Sequence, residues 1–202
     1  MTNIEKYNML WIDKFIIDIE GVDGCGESTL LENLESERLP VKVQHAFDND
    51  FKEKFLFYVN KFGITNKCIR FLCAEYNMKS YCENRIELVE NEEIMGIIRE
   101  RGILSNLVYN CTTIDSINIL IKYYEDILPD LIIFIDKNPE ECLVNLEKRK
   151  ENNIINKFVK DNLNIIYDRF HKSIDLLKEK VDILIVKNVE EAKKSILNII
   201  KK

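Results

Sequence analysis

Three of the six glycines in this chain fall within the stretch Gly21-Val22-Asp23-Gly24-Cys25-Gly26, and Glu27, Ser28 and Thr29 follow directly. The spacing fits the phosphate-binding pattern G-x-x-x-x-G-K-[ST] with a single change, Glu27 at the lysine position. Glycines at these places let successive backbone amides turn inward around a phosphate, and a helix starting there adds its dipole. Ser28 stands where a hydroxyl meets Mg²⁺. The lysine of the pattern places positive charge on the outer phosphates, and a carboxylate there reverses the sign. Repulsion in place of attraction, by about 1–2 kcal/mol, costs roughly five- to thirtyfold in binding. The cost to a charged transition state is larger, because such a site excludes water. Two routes offset it: Mg²⁺ between Glu27 and the phosphates, or another cation reaching in. The candidate phosphate-binding set is Gly21, Asp23, Gly24, Cys25, Gly26, Glu27, Ser28 and Thr29.

Such a loop works between a strand and a helix. Phe15-Ile16-Ile17-Asp18-Ile19 supplies the strand, and Ser28 to Glu37 has helical character. Pro40 breaks the chain before a brief second strand, Val41-Lys42-Val43. Residues 52–62 and 66–90 predict helices, with Phe71, Ala74 and Met78 at i, i+3, i+7 spacing. Ile94 to Ile98 reads as a third strand, and one helix is expected from about Ser105 to Glu125. Leu131 to Asp136 is the fourth strand. Asn138-Pro139-Glu140-Glu141 is a helix start, with Asn at the cap and Pro in the first turn. That helix is expected to reach about Lys150. A break at Glu151-Asn152-Asn153 precedes a helix over 157–179, a strand from Val181 to Val186 and a closing helix over 189–201. Apolar strands without alternation, separated by helices, argue for an α/β fold with a parallel sheet covered on both faces. The 202 residues show no repeat and no linker, so one domain over 1–202 is expected.

The stretch from Phe15 to Thr29 resembles the opening strand and loop of the thymidylate kinase family, commonly F-E-G-x-D-G-x-G-K-S-T. Glu20, Asp23, Ser28 and Thr29 match it. Arg99-Glu100-Arg101-Gly102 with Ser105 and Tyr109 is similar to that family's D-R-[YFH]-x-x-S-x-x-A-Y segment. Pro129 to Asp136 with Pro139 and Glu140 is similar to its fourth strand and helix start, and Lys148-Arg149-Lys150 follows as a basic segment. The order of these blocks spans about residues 15–190. The resemblance implies a P-loop three-layer sandwich, with a five-stranded parallel sheet and a small lid over about 148–157. It also implies ATP- and Mg²⁺-dependent phosphoryl transfer to a nucleoside monophosphate such as dTMP. Arg101, Glu100 and Arg149 would be catalytic, the last as a lid cation. Ser28 and Glu100 would hold Mg²⁺. Asp23, Phe71, Tyr76, Arg101, Ser105 and Tyr109 would meet the substrate.

Departures from the family pattern cluster at the acceptor side. Gln44 to Asn49 lacks the family's arginine and proline, Ala74-Glu75-Tyr76 replaces A-D-R, and Gly102 replaces an aromatic or histidine. Two alternatives therefore stand beside the first: a catalytically impaired nucleotide-binding or protein-interaction module, and a nucleoside kinase with an unphosphorylated acceptor. Arg101 could instead be an ion-pair partner of Glu100 or Glu93, and Lys148 to Lys150 a solvated helix end. Phe71 and Tyr76 read equally as pocket wall, and His45, His171 and Asp136 are left outside the site.

The net charge of −6 argues against a broad nucleic-acid face. Six scattered cysteines without C-x-x-C, and two histidines, argue against a zinc site. No leader and no membrane span are expected, so the location is expected to be cytoplasmic with reduced thiols. The apolar face around Ile117, Leu120 and Ile121 offers a surface for a homodimer.

Overall fold

The computed structural model describes residues 14–111, 113–149 and 153–201. Its centre is a five-stranded, all-parallel sheet in the order β2-β3-β1-β4-β5. The strands are β1 (Phe15–Gly21), β2 (Val41–Gln44), β3 (Gly96–Glu100), β4 (Leu131–Ile135) and β5 (Asp182–Val186). The helices are α1 (Glu27–Ser36), α2 (Asn49–Phe62), α3 (Lys67–Glu90), α4 (Ile103–Asn110), α5 (Ile114–Tyr124), α6 (Pro139–Lys148), α7 (Ile154–Leu177) and α8 (Val189–Ile200).

β1 is central and buried from Ile16 onward. Successive residues of a strand point to opposite faces, so β1 serves two layers. Ile16 packs with Leu88 of α3 and Ile97 of β3. Ile17 and Ile19 belong to the main core with Leu30, Leu31 and Leu34 of α1 and Ile196 of α8. Parallel strands of this kind carry unbroken apolar runs because both faces are covered. The loops that follow β1, β2, β3 and β4 therefore emerge at the same edge of the sheet.

Three of the boundaries that differ from those read in the sequence have a visible cause. β3 runs from Gly96 to Glu100 because it pairs with β1 from Phe15↔Gly96 to Ile19↔Glu100. Met95 sits outside that ladder, with its N–H donating to the Pro40 carbonyl at 2.8 Å. The single helix expected from Ser105 to Glu125 is two helices, since Cys111 is extended and Thr113 starts a new helix. Thr113 and Ser116 cap each other reciprocally there. The helix expected from 157 begins at Ile154, because the Asn153 side chain accepts from Asn156 N–H at 2.9 Å. Residues 154–157 of the expected lid are thus the first turn of α7. Lys150, Glu151 and Asn152 lie outside the described residues. Ile117, Leu120 and Ile121 pack against the core, while Ile114, Ile119 and Tyr123 of α5 are exposed. Among the described residues no helix is long and apolar enough to cross a membrane.

Candidate active site

The loop after β1 has the backbone that a phosphate cradle requires. Gly24 (φ 90°) and Gly26 (φ 115°) lie in the left-handed region, where a side chain is strained. A Cβ at Gly24 would also stand 2.5 Å from the Cys142 carbonyl of α6. Asn145 of α6 donates to the Gly24 carbonyl at 2.8 Å and holds the loop from outside. Gly26 caps α1 without a side chain, so the first amides of α1 face the loop with no cap hydrogen bond. The Cys25 thiol is buried, and burial pushes its pKa up. Thr29 is exposed.

Glu27, the first residue of α1, is 4% exposed and meets a cation from across the sheet. Arg101, just beyond β3, places its Nη2 3.0 Å from Glu27 Oε2 and 3.0 Å from Asp23 Oδ1. Its backbone is left-handed (φ 60°), an uncommon conformation for a non-glycine residue. The Arg101 N–H donates to the Ile19 carbonyl at 2.9 Å and fixes the turn. Tyr109 of α4 donates its hydroxyl to the other oxygen of Asp23. The second oxygen of Glu27 is buried and takes no hydrogen bond. Burial pushes the Glu27 carboxyl well above the usual range; Arg101 opposes the shift, while Glu100 and Asp23 reinforce it. Neither Glu100 nor Glu93 is the ion-pair partner of Arg101.

Ser28 and Glu100 converge on the same spot, with Ser28 Oγ donating to Glu100 Oε1 at 2.5 Å. The other Glu100 oxygen accepts from Ala46 N–H and lies 3.2 Å from His45 Nδ1. Burial acts to raise this carboxyl, but Ser28, Arg101 and Ala46 outweigh it and the pKa lies below the ordinary value. His45, left outside the site in the sequence reading, therefore borders it.

A second polar layer supports the first. Arg99 of β3 is buried and pairs with Asp18 of β1 through Nε (2.9 Å) and Nη2 (2.5 Å). Its guanidinium lies 3.2 Å from the ring centroid of Tyr81 of α3, whose hydroxyl donates to Asp18. Glu20 accepts from Gly102 N–H at 2.8 Å and from Ser105 Oγ at 2.5 Å. Burial, then the neighbouring Asp18 carboxylate, raises the Glu20 pKa to about 7 against these hydrogen bonds.

Beside the loop opens a cavity of about 150 Å³. Asp23, Arg101, Ser105 and Tyr109 line its inner end. Arg70, Cys73 and Asn77 of α3 form one wall, and Phe47, Phe55 and Phe158 contribute apolar surface. Phe71 does not line this cavity; it is 72% exposed. Tyr76 faces a neighbouring crevice, donates to Asp48 at 2.8 Å and stacks on Phe51 with centroids 3.9 Å apart. The face of α3 that meets the cavity thus runs through positions 70, 73 and 77. That face holds Arg70 and Asn77, which sequence reasoning passed over, although a basic and an amide residue seven apart on one helix face were a legible signal. The Arg70 Nε is buried and takes no hydrogen bond. Arg149, at the end of α6, is exposed and does not line the cavity. Among the described residues no group of three or more His, Cys, Asp or Glu side chains could hold a metal by itself.

A sequence profile of the thymidylate kinase family matches residues 19–196, most of the chain. The chain belongs to the thymidylate kinase family. Among curated protein sequences none matches it significantly. Solved structures agree on the fold. Thymidylate kinase from Candida albicans superimposes with a TM-score of 0.65 at 18% identity, covering 94% of this chain and 92% of that one. Deoxyadenosine kinase from M. mycoides, solved with dCMP and dCDP bound, gives 0.61 at 16% identity and covers 91% and 97%. In this thymidylate kinase family member the loop after β1 holds left-handed glycines at 24 and 26, and a carboxyl side chain stands directly after them at 27.

Proposed function

We propose that the chain is a phosphotransferase that moves a phosphoryl group from ATP to a nucleoside-bearing acceptor, of the thymidylate type, in the cytoplasm. The observation that supports this reading is the guanidinium of Arg101 at the phosphate loop, 3.0 Å from Glu27 and from Asp23. The positive charge absent from position 27 is supplied from the end of β3, at the same loop. Loop amides from Gly21 to Thr29 would hold the ATP phosphates. Ser28 and Glu100 would hold Mg²⁺, which supplies charge neutralisation on the transferring group. Arg101 orients and neutralises, Asp23 and Tyr109 position the acceptor, and Arg149 would close over the site as the lid cation. Phosphoryl transfer needs mostly positioning and charge, so a cation carried on another element serves. Copies pairing through α5 belong to the same reading.

The test is transfer of labelled phosphate from Mg-ATP to thymidylate and to the deoxynucleosides. Transfer that disappears in Arg101→Ala is the expected result. Absence of transfer to every acceptor would sink the catalytic reading. One observation favours a second reading, a nucleotide-binding module without catalysis: the Arg101 guanidinium is shared by two carboxyl groups, Asp23 and Glu27, each 3.0 Å away. Nucleoside binding without transfer in the same experiment would select it.

A further inference from the structure

We propose that His45 is a positioning residue for Glu100: with the Ala46 N–H it reserves one carboxylate oxygen, so that the other, beside Ser28, is the oxygen that meets Mg²⁺. The inference rests on the reading that Ser28 and Glu100 hold Mg²⁺ with the ATP phosphates, and the contacts around Glu100 carry it.

Glu100 is the last residue of β3, and its side chain is largely buried. Its two oxygens have different neighbours. Oε1 accepts from Ser28 Oγ at 2.5 Å. Oε2 accepts from the Ala46 N–H at 3.2 Å and lies 3.2 Å from His45 Nδ1. An ionised carboxylate can only accept, so Nδ1 is the donor of that contact. The far side of the ring is held as well, with His45 Nε2 3.5 Å from Oε1 of Glu35 on α1. The imidazole thus spans from α1 to the end of β3, with a carboxylate at each of its nitrogens.

The side chain at 100 needs such a tie. Glutamate has one more rotatable bond than the aspartate of the D-R pattern, and two donors on Oε2 fix the carboxylate that this bond would otherwise turn. Mg²⁺ asks for near-octahedral geometry and takes only one or two carboxylates beside the phosphates. Oε2 already receives two hydrogen bonds. Oε1 receives one, from a hydroxyl that can rotate its proton away and offer a lone pair to the same ion. The contacts therefore divide the carboxylate into a tethered oxygen and a ligand oxygen. Hydrogen-bond partners behind a metal ligand are typically worth roughly 10–100-fold in metal affinity. His45 and Ala46 follow β2, so the edge strand acts on the site through Glu100.

The test is calorimetric titration of the full chain with ATP, once with Mg²⁺ and once with a chelator, for the natural sequence, His45→Ala and His45→Asn. The ratio of the two affinities measures what the cation adds. His45→Ala is expected to lower that ratio by about tenfold or more, with the affinity for metal-free ATP unchanged. His45→Asn places an N–H close to where Nδ1 stands and is expected to keep most of the ratio. A ratio unchanged in His45→Ala overturns the proposal and leaves the Mg²⁺ reading standing. A loss that His45→Asn does not recover, or one that falls on metal-free ATP as well, overturns it too. A natural chain that binds ATP no better with Mg²⁺, or not at all, overturns both.

Discussion

Glu27 and Arg101 are each defined by the other. Both are largely removed from solvent, and breaking a buried pair by removing one partner typically costs about 3–5 kcal/mol. Arg101→Met is therefore expected to lower the urea midpoint sharply. Adding Glu27→Gln to it is expected to restore part of the loss, and additive effects of the two substitutions would show that the pair is not coupled. Glu20 sets a pH dependence. Its folded-state pKa of about 7 lies above the ordinary value of 4.5, with burial the largest cause and Asp18 the next. The protonated form thus favours the fold. Its contribution is complete below about pH 4.5 and is lost as pH rises through 7, by about 3 kcal/mol at pH 8. Glu20→Gln is expected to flatten the stability profile between pH 5 and 8. An unchanged slope would rule this assignment out.

Among the elements, the turn from β3 into α4 carries the most constraint. It places Glu100, Arg101, Gly102 and Ser105 in sequence, each against a different partner. Gly102 is needed for want of space, since a Cβ there would run into Asp18 Oδ2 and the Tyr81 hydroxyl. Its backbone is not left-handed, so conformational freedom is not the reason. Gly102→Ala is expected to destabilise by about 1–3 kcal/mol, seen as a lower thermal midpoint. The break between α4 and α5 rests on the Thr113–Ser116 capping box. Thr113→Ala is expected to cost about 1 kcal/mol in chemical denaturation, and a neutral result would mean that α5 is held by its core contacts alone.

At the scale of the whole molecule, the sheet brings distant pieces to one edge. The loop comes from residues 21–29, the cation from 101 and the cavity wall from 70 to 77 and 155 to 159. The α/β class and the five strands were legible because apolar runs, glycine and proline punctuation and a loop motif all follow local rules. Glu27 was legible as a misplaced charge. Its partner was not, because Arg101 reaches it only through the β1–β3 register and a left-handed turn that no local pattern announces. The face of α3 that lines the cavity lies one position before the apolar stripe. The apolar residues of α3 at 71, 74 and 78 satisfy helical periodicity, while those that meet the cavity are Arg70, Cys73 and Asn77. Periodicity finds an apolar stripe and cannot tell a core from a ligand wall.

The ion pair across the loop also bears on how this sequence can change. Glu27 and Arg101 are 74 positions apart, so no single mutational step alters both. Lysine restored at 27 would face Arg101 at close range, and a neutral residue at 101 would leave Glu27 alone in its buried place. The family pattern carries a lysine in the loop together with the arginine of its D-R segment, so the residue that departs is Glu27, and Asp23 is the carboxylate that would stay with Arg101 were the lysine restored. The carboxylate in the loop is thus tied to a cation that the pattern already contained.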